Sequence, residues 1–282
     1  MRSILWMSMV LLWGAPGAGS AAPTVVIYGS PAQQSDAPDQ QYPLQVLREA
    51  LAASGQSYQL QPSGQDMVQS RVLKEIAAGH VDVYWSMTSK DREAQLLPIR
   101  IPLDKGLNGW RLLLLKSGGQ TRLRNMTSLS HLKKLTFLQG HDWPDTAILQ
   151  HNGLRVLTSA HPSQLYDMLK KQRAEVFPRA VFEAYFDAAR DPQALVVDRS
   201  LVLVYPSAVY FFVRRDNQAL AGAIETGLRR LIANGRFDQL FMQCYGGAIA
   251  QARLSHRRQI RLENPLAPPA LPPADSPLWY RP

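Results

Sequence analysis

The chain of 282 residues holds a single cysteine, Cys244, so it forms no internal disulfide. A chain this long does not need one, because its apolar core is large enough to fold without a covalent tie. Cys244 sits in the apolar stretch 240–245 and reads as an inert buried thiol. There is no Gly-rich phosphate loop, which argues against nucleotide binding, and no Gly-x-Ser-x-Gly elbow, which argues against serine hydrolysis. His141, His151 and His161 lie ten residues apart, and neither a His-x-x-x-His nor a Cys-x-x-Cys pattern occurs, so no metal site or other cofactor is expected.

Long apolar runs are scarce as well. The only one near the start, Ile4 to Trp13, is about ten residues, half of what a hydrocarbon core requires. It follows Arg2 and precedes the small residues Gly14 to Ala22, the order of a secretory signal peptide cut near residue 22. The mature chain is therefore expected in the periplasm. Leu112–Leu115 and Leu201–Tyr205 have the length of buried strands. The net charge of +9 comes from scattered basic residues, densest from Arg253 to Arg261. Without a nucleic-acid motif, that excess reads as a solvated surface and not a nucleic-acid footprint.

What is present is alternation. β-branched runs such as 24–28, 58–61, 81–85 and 110–115 interleave with helical patterns at 44–51 and 67–76. A turn-rich break at 116–119 precedes a second round of the same alternation, up to Leu195–Val204 and Val209–Val213. Two amphipathic helices, 219–233 and 237–245, then close the body. This predicts an α/β fold of two lobes, each a mostly parallel sheet flanked by helices. Lobe 1 would take 23–115 and 207–262, and lobe 2 would take 116–206. Crossings near Leu115 and Val204 would form a hinge. Residues 263–282 carry seven prolines and form an arm outside regular structure, whose cluster Leu278-Trp279-Tyr280 favours docking on the body.

Several stretches in this order resemble a known family. They are Asp82 to Arg92, Thr127 to Lys134, Gln139-Gly140, Met168 to Glu175, and Ile224 to Phe237. The chain resembles the extracellular solute-binding proteins of the amino-acid-binding class, the partners of import transporters, with the type II periplasmic-binding fold. The resemblance implies a monomer that closes on a small solute and meets a membrane permease. A sensing subunit for a membrane receptor, or a dehydratase-like enzyme using Glu183 or Asp142, are the alternatives.

The family's Thr-x-x-Arg pattern, whose arginine grips the ligand carboxylate, matches Ser89-Lys90-Asp91-Arg92 with serine for threonine. A guanidinium fork suits that role; a surface arginine is the other reading. Thr88 and Ser89 accompany Arg92. In the second lobe the family's glycine-hydroxyl pair at a helix start corresponds to Gly140-His141-Asp142-Trp143, without the hydroxyl. Asp142 and Asp145 are candidates to cap that helix. Where amino-acid binders place an aspartate for the ligand ammonium, this chain has Pro178-Arg179, with Glu183 a turn later. Arg92 and Arg179 together point to an anionic solute, unless Glu183 replaces the aspartate or Arg179 faces solvent. Tyr28, Trp85 and Trp143 stand at strand ends or helix starts, where ligands of open α/β sheets sit.

Overall fold

The computed structural model describes residues 22–30 and 37–282; the expected leader, up to residue 21, lies outside them. The chain opens with β1 (Thr24–Tyr28), α1 (Pro38–Ser54), β2 (Tyr58–Pro62), α2 (Gln69–Ala78), β3 (Val83–Met87), α3 (Lys90–Gln95) and β4 (Leu97–Ile99). Then come β5 (Trp110–Lys116), α4 (Gln120–Leu123), α5 (Leu129–Leu132), β6 (Thr136–Gly140), α6 (Pro144–His151), β7 (Arg155–Ser159) and α7 (Pro162–Lys170). The remainder is β8 (Phe177–Ala180), α8 (Val181–Ala189), β9 (Leu195–Val197), β10 (Leu201–Val204), β11 (Val209–Val213), α9 (Gln218–Ala233), α10 (Arg236–Ala252) and β12 (Arg258–Arg261).

One sheet runs β2-β1-β3-β11-β4. β1 pairs in parallel with β2 and β3, and β11 is antiparallel to β3 and β4. A second sheet runs β12-β10-β5-β8, with β9 also on β5, and a parallel pair β6-β7 lies beside it through the bridge from Phe137 to Val176. The α/β alternation thus gives two mixed sheets and two apolar cores, one around Leu47, Phe211 and Phe237 and one around Leu113, Phe137 and Ile148.

Sheet membership departs from the expected lobe limits at two places. Residues 110–115 and 258–261, read from the sequence as part of lobe 1, hydrogen-bond within the second sheet. The reason is burial. Leu112, Leu113 and Leu114 are fully covered, so β5 needs neighbours on both edges, and it finds them in β8, β9 and β10. The chain accordingly passes between the sheets at 100–109, at 205–208 and again at 253–257, between α10 and β12.

Two contacts hold this frame. α1 lies against α9 so closely that a Cβ on Gly227 would fall 1.8 Å from the Ala50 carbonyl oxygen, which only glycine permits. The proline-rich arm is laid over the crossings. Asn152 and Glu263 exchange bonds of 2.8 and 3.0 Å, Asn264 donates to Pro206 O at 2.7 Å, and Tyr280 N donates to Lys105 O at 2.7 Å. Trp279 packs on Gly106, and the Tyr280 ring lies 5.9 Å from that of Phe241. Among the described residues no helix is long and apolar enough to cross a membrane.

Candidate functional site

A cavity of about 670 Å³ opens between the two sheets. The ends of β3, β6 and β7 (Met87, Gly140 and Ser159) all reach it, so it sits at the carboxyl edge of parallel strands, where backbone groups are not consumed by pairing.

On the first-sheet side the wall along β3 is aromatic and uncharged, Tyr84 and Trp85 with Gln69, Ser86 and Met87, and Asp66, just before α2, lines the cavity beside it. Tyr28 does not reach the cavity; it stacks behind Trp85 with centroids 6.3 Å apart. Arg92 also stands one layer back. Ser89 caps α3 by accepting from Arg92 N at 3.2 Å. The Arg92 guanidinium donates through Nη1 to Ser86 Oγ (2.6 Å) and Met87 O (2.7 Å), and through Nη2 to Gln69 Oε1 (2.6 Å). All three acceptors are neutral and all three residues line the cavity. Burial lowers the Arg92 guanidinium from its ordinary value; Tyr84, Asp142 and Asp145 oppose that shift. Thr88, expected beside it, instead donates to Glu93 Oε1 at 2.7 Å and is absent from the cavity lining.

The second-sheet side is ionic. Arg111, on β5, is 4 % exposed and reaches Asp145 Oδ1 at 2.5 Å, Glu183 Oε2 at 3.5 Å and the Tyr205 hydroxyl at 2.8 Å. Tyr205 in turn donates to Asp145. Arg179 is held by Glu183 Oε1 at 3.0 Å and Asp187 Oδ2 at 2.5 Å. Its guanidinium carbon lies 5.2 Å from the Trp143 ring centroid and 5.1 Å from that of Phe177. Burial alone would lower both guanidiniums. Asp145 leads the groups that raise Arg111 above its ordinary value, and Glu183 leads those that raise Arg179. Two buried guanidiniums thus meet three buried carboxylates, Asp145, Glu183 and Asp187. Glu183 also accepts from Ala180 N at 2.8 Å, and burial raises the Tyr166 hydroxyl beside Asp187.

Two expectations change here. Arg179 does not stand free for an anion, since Glu183 and Asp187 already neutralise it; the case for an acidic solute built on two arginines loses one of them. Two of the amides after Gly140 are also engaged: His141 N donates to Ser159 O and Trp143 N to Gly140 O, while α6 begins with Pro144, which has no N–H. Gly140 is required for another reason, because a Cβ there would fall 2.5 Å from the Trp143 ring. The His141 side chain is exposed and outside the lining, whereas Trp85, Gly140, Trp143 and Arg179 belong to it.

Asp142 does something its helix-cap reading missed. Its Oδ2 accepts from Ser70 N at 2.8 Å, at the first turn of α2. The α2 N-cap, Val68, offers no side-chain oxygen, so a carboxylate from the second-sheet side caps a helix of the first across the cleft. Arg111, Asp187 and Tyr166 were not singled out from the sequence, and Asp145 was read there only as a helix cap. Two signals were there to find them: an arginine opening the apolar run Leu112–Leu115, and the four-residue spacing of 179, 183 and 187.

Searches against family models and against curated proteins give no match. Solved structures do match. The fold is that of the amino-acid-binding periplasmic proteins. A mutant of ArgBP from T. maritima shares 16 % identity over 79 % of this chain and 95 % of its own, with a TM-score of 0.59. The GluR0 ligand-binding core from Nostoc punctiforme, in complex with L-glutamate, shares 14 % over 79 % and 99 %, with a TM-score of 0.58. A histidine kinase sensor domain with similarity to periplasmic binding proteins shares 16 % over 79 % and 96 %, with a TM-score of 0.60. At such identities this binding-protein fold is common property, and the ligand is not.

Proposed function

We propose that the chain binds a small carboxylate-bearing solute, which also carries a cationic group, by closure of its two lobes in the periplasm. The bound solute is then delivered to a membrane transporter. The observation that carries this reading is the unequal charge of the two walls. Arg92 is a partly buried guanidinium with only neutral acceptors at hydrogen-bond distance, so a solute carboxylate approaching past Ser86 and Gln69 adds to the more distant charges of Asp142 and Asp145 the nearby carboxylate it lacks. Opposite, the lining carboxylates Asp142, Asp145, Glu183 and Asp187 outnumber the guanidiniums Arg111, Arg179 and Arg190, and a cation completes that balance. A purely anionic solute satisfies only the first wall.

Closure follows if the solute binds the closed arrangement more tightly than the open one, since only that difference shifts the population. The Asp142–Ser70 bond spans the cleft, so it adds to whatever holds the two sides together. A second reading, a sensing subunit docking on a membrane receptor, is supported by the similarity to a histidine kinase sensor domain. A dehydratase-like activity has less support, because Glu183 is committed to Arg179 and Ala180 N, and Asp142 to Ser70 N.

The test is a thermal-shift panel of zwitterionic amino acids with neutral and basic side chains, dicarboxylates, and amines without a carboxylate. A ligand at about a hundredfold over its Kd stabilises the native state by ~2.7 kcal/mol, a shift readily measured. Zwitterions are expected to raise Tm most. Shifts from dicarboxylates alone would remove the cationic half of the reading, and shifts from amines alone the carboxylate half.

A further inference from the structure

The strands that carry the cleft at their carboxyl ends have a second end, and its chemistry is different. β6, β7 and the strand leading into β8 all begin on the side away from the cavity: Thr136 faces Arg155 in register, and Glu175 N and Val176 N both donate to Thr136 O. At this end stand Arg122, Lys133, Lys134, Arg155 and Arg173, every one exposed. They are neighbours in space as well as in topology. Arg122 reaches Glu175 at 3.1 Å, Glu175 accepts from Thr136 N at 2.8 Å, and the Lys133 side chain lies over Gly153, two residues before Arg155. Exposed Arg124 and Lys171 flank the group. The acids close by are Glu175, engaged by Arg122, Glu263, beside His151 at 3.2 Å, and Asp167 and Asp191, both engaged by Lys170 at 3.3 and 3.5 Å. Apart from Arg122, none of the seven cations has an ion-pair partner among the described residues.

We infer that this basic end of the second lobe, opposite the cleft, is a contact surface for a bilayer containing anionic phospholipids. The positions span about five strand residues, roughly 16 Å, from the cavity, so occupancy of the cleft and contact at this end do not compete. Folded proteins tolerate unpaired exposed cations, but seven exposed cations around one end, six of them without an ion-pair partner, beside acids that are each engaged by a basic side chain, create a local field well above that of mixed-sign surface. Apart from Arg122, the cations are long side chains without an ion-pair partner, mostly on turns and strand starts. A laterally mobile sheet of phosphate headgroups meets them without a fixed register, whereas an acidic protein would need its charges placed to match.

The experiment is co-sedimentation of the full chain with vesicles of equal parts phosphatidylglycerol and phosphatidylcholine, and with phosphatidylcholine vesicles alone. The wild type is expected to bind only the anionic vesicles, and to release as ionic strength rises and screening shortens. Lys133→Glu/Lys134→Glu/Arg173→Glu is expected to lower that binding by about tenfold or more. A variant with the same charge change around the first sheet, Lys74→Glu/Arg214→Glu/Arg229→Glu, is expected to retain it, with circular dichroism and Tm confirming that both variants fold. Equal loss in the two variants would show that net charge and not this surface is responsible, and would overturn the inference. So would absence of wild-type binding, or tighter capture by polyglutamate than by the anionic vesicles. Because the readout is vesicle binding without solute, its failure is separate from failure of the solute-binding reading.

Discussion

Tyr84, Trp85, Ser86 and Gln69 face the cleft from one side; Arg111, Asp145, Arg179, Glu183 and Asp187 face it from the other. Both sides use arginine, in opposite ways. Arg92 is bonded to a hydroxyl, a carbonyl and an amide, and burial lowers its guanidinium; Arg111 and Arg179 are bonded to carboxylates, and those carboxylates raise theirs. An arginine between carboxylates is architecture, because its charge is already met. On the proposed reading, an arginine among neutral acceptors is the one left to attract a solute carboxylate. Chemical type alone does not separate the two roles, and partner type does.

The comparison breaks most visibly if the ionic wall is opened. Asp187→Ala leaves Arg179 buried with one carboxylate fewer, and is expected to cost about 3 kcal/mol or more in chemical denaturation, because an underpaired buried charge loses solvation without compensation. A loss near zero would mean that the cluster is wet and that its charges belong to the solute site.

Asp104, on the crossing that floors the cavity, sharpens the same point through pH. Burial raises its carboxyl to about 6, against N–H bonds from Asn108 and Gly106 that lower it. A carboxyl with a folded-state pKa above its unfolded one favours the fold below the unfolded value, and that advantage disappears as pH rises through about 6. Relative to Asp104→Asn, the wild type is therefore expected to lose about 2 kcal/mol between pH 4 and pH 7, read from urea midpoints at each pH. Parallel curves would place Asp104 in solvent.

Arg92→Ala addresses the neutral wall. Affinity for a carboxylate-bearing solute is expected to weaken by about 2 kcal/mol in calorimetry, while affinity for the amide of the same solute falls much less. Equal losses for acid and amide would assign Arg92 to holding Ser86 and Gln69 in place.

The smallest effect tests the bond between the walls. Asp142→Ala removes the cap on α2, worth about 1 kcal/mol, and is expected to enlarge the radius of gyration of the solute-free protein in X-ray scattering. An unchanged radius would show that other contacts hold the lobes together.

Much of the architecture could be read in advance from periodicity. The strands at 24–28, 83–87 and 110–116, the second round of alternation after 116–119 and the closing helices 218–233 and 236–252 all stand close to where apolar spacing put them. Sheet membership was less legible. Which neighbour an apolar strand chooses depends on residues far away in sequence, so Trp110–Lys116 joined β8, β9 and β10 instead of the strands just before it. The site was legible only in part for the same reason. Trp85, Gly140, Trp143 and Arg179 reach the cavity, but Asp145 meets Arg111, and Asp142 meets Ser70, across separations that no local pattern records.

The sequence by itself determined the alternation of elements, the two cores and the surplus of positive charge, because burial of apolar side chains at periods of two and 3.6 is a local property of the chain. The tertiary structure alone decided which arginines are neutralised. Charge compensation depends on distances of a few ångströms between groups tens of residues apart, and those distances exist only once the sheets have come together.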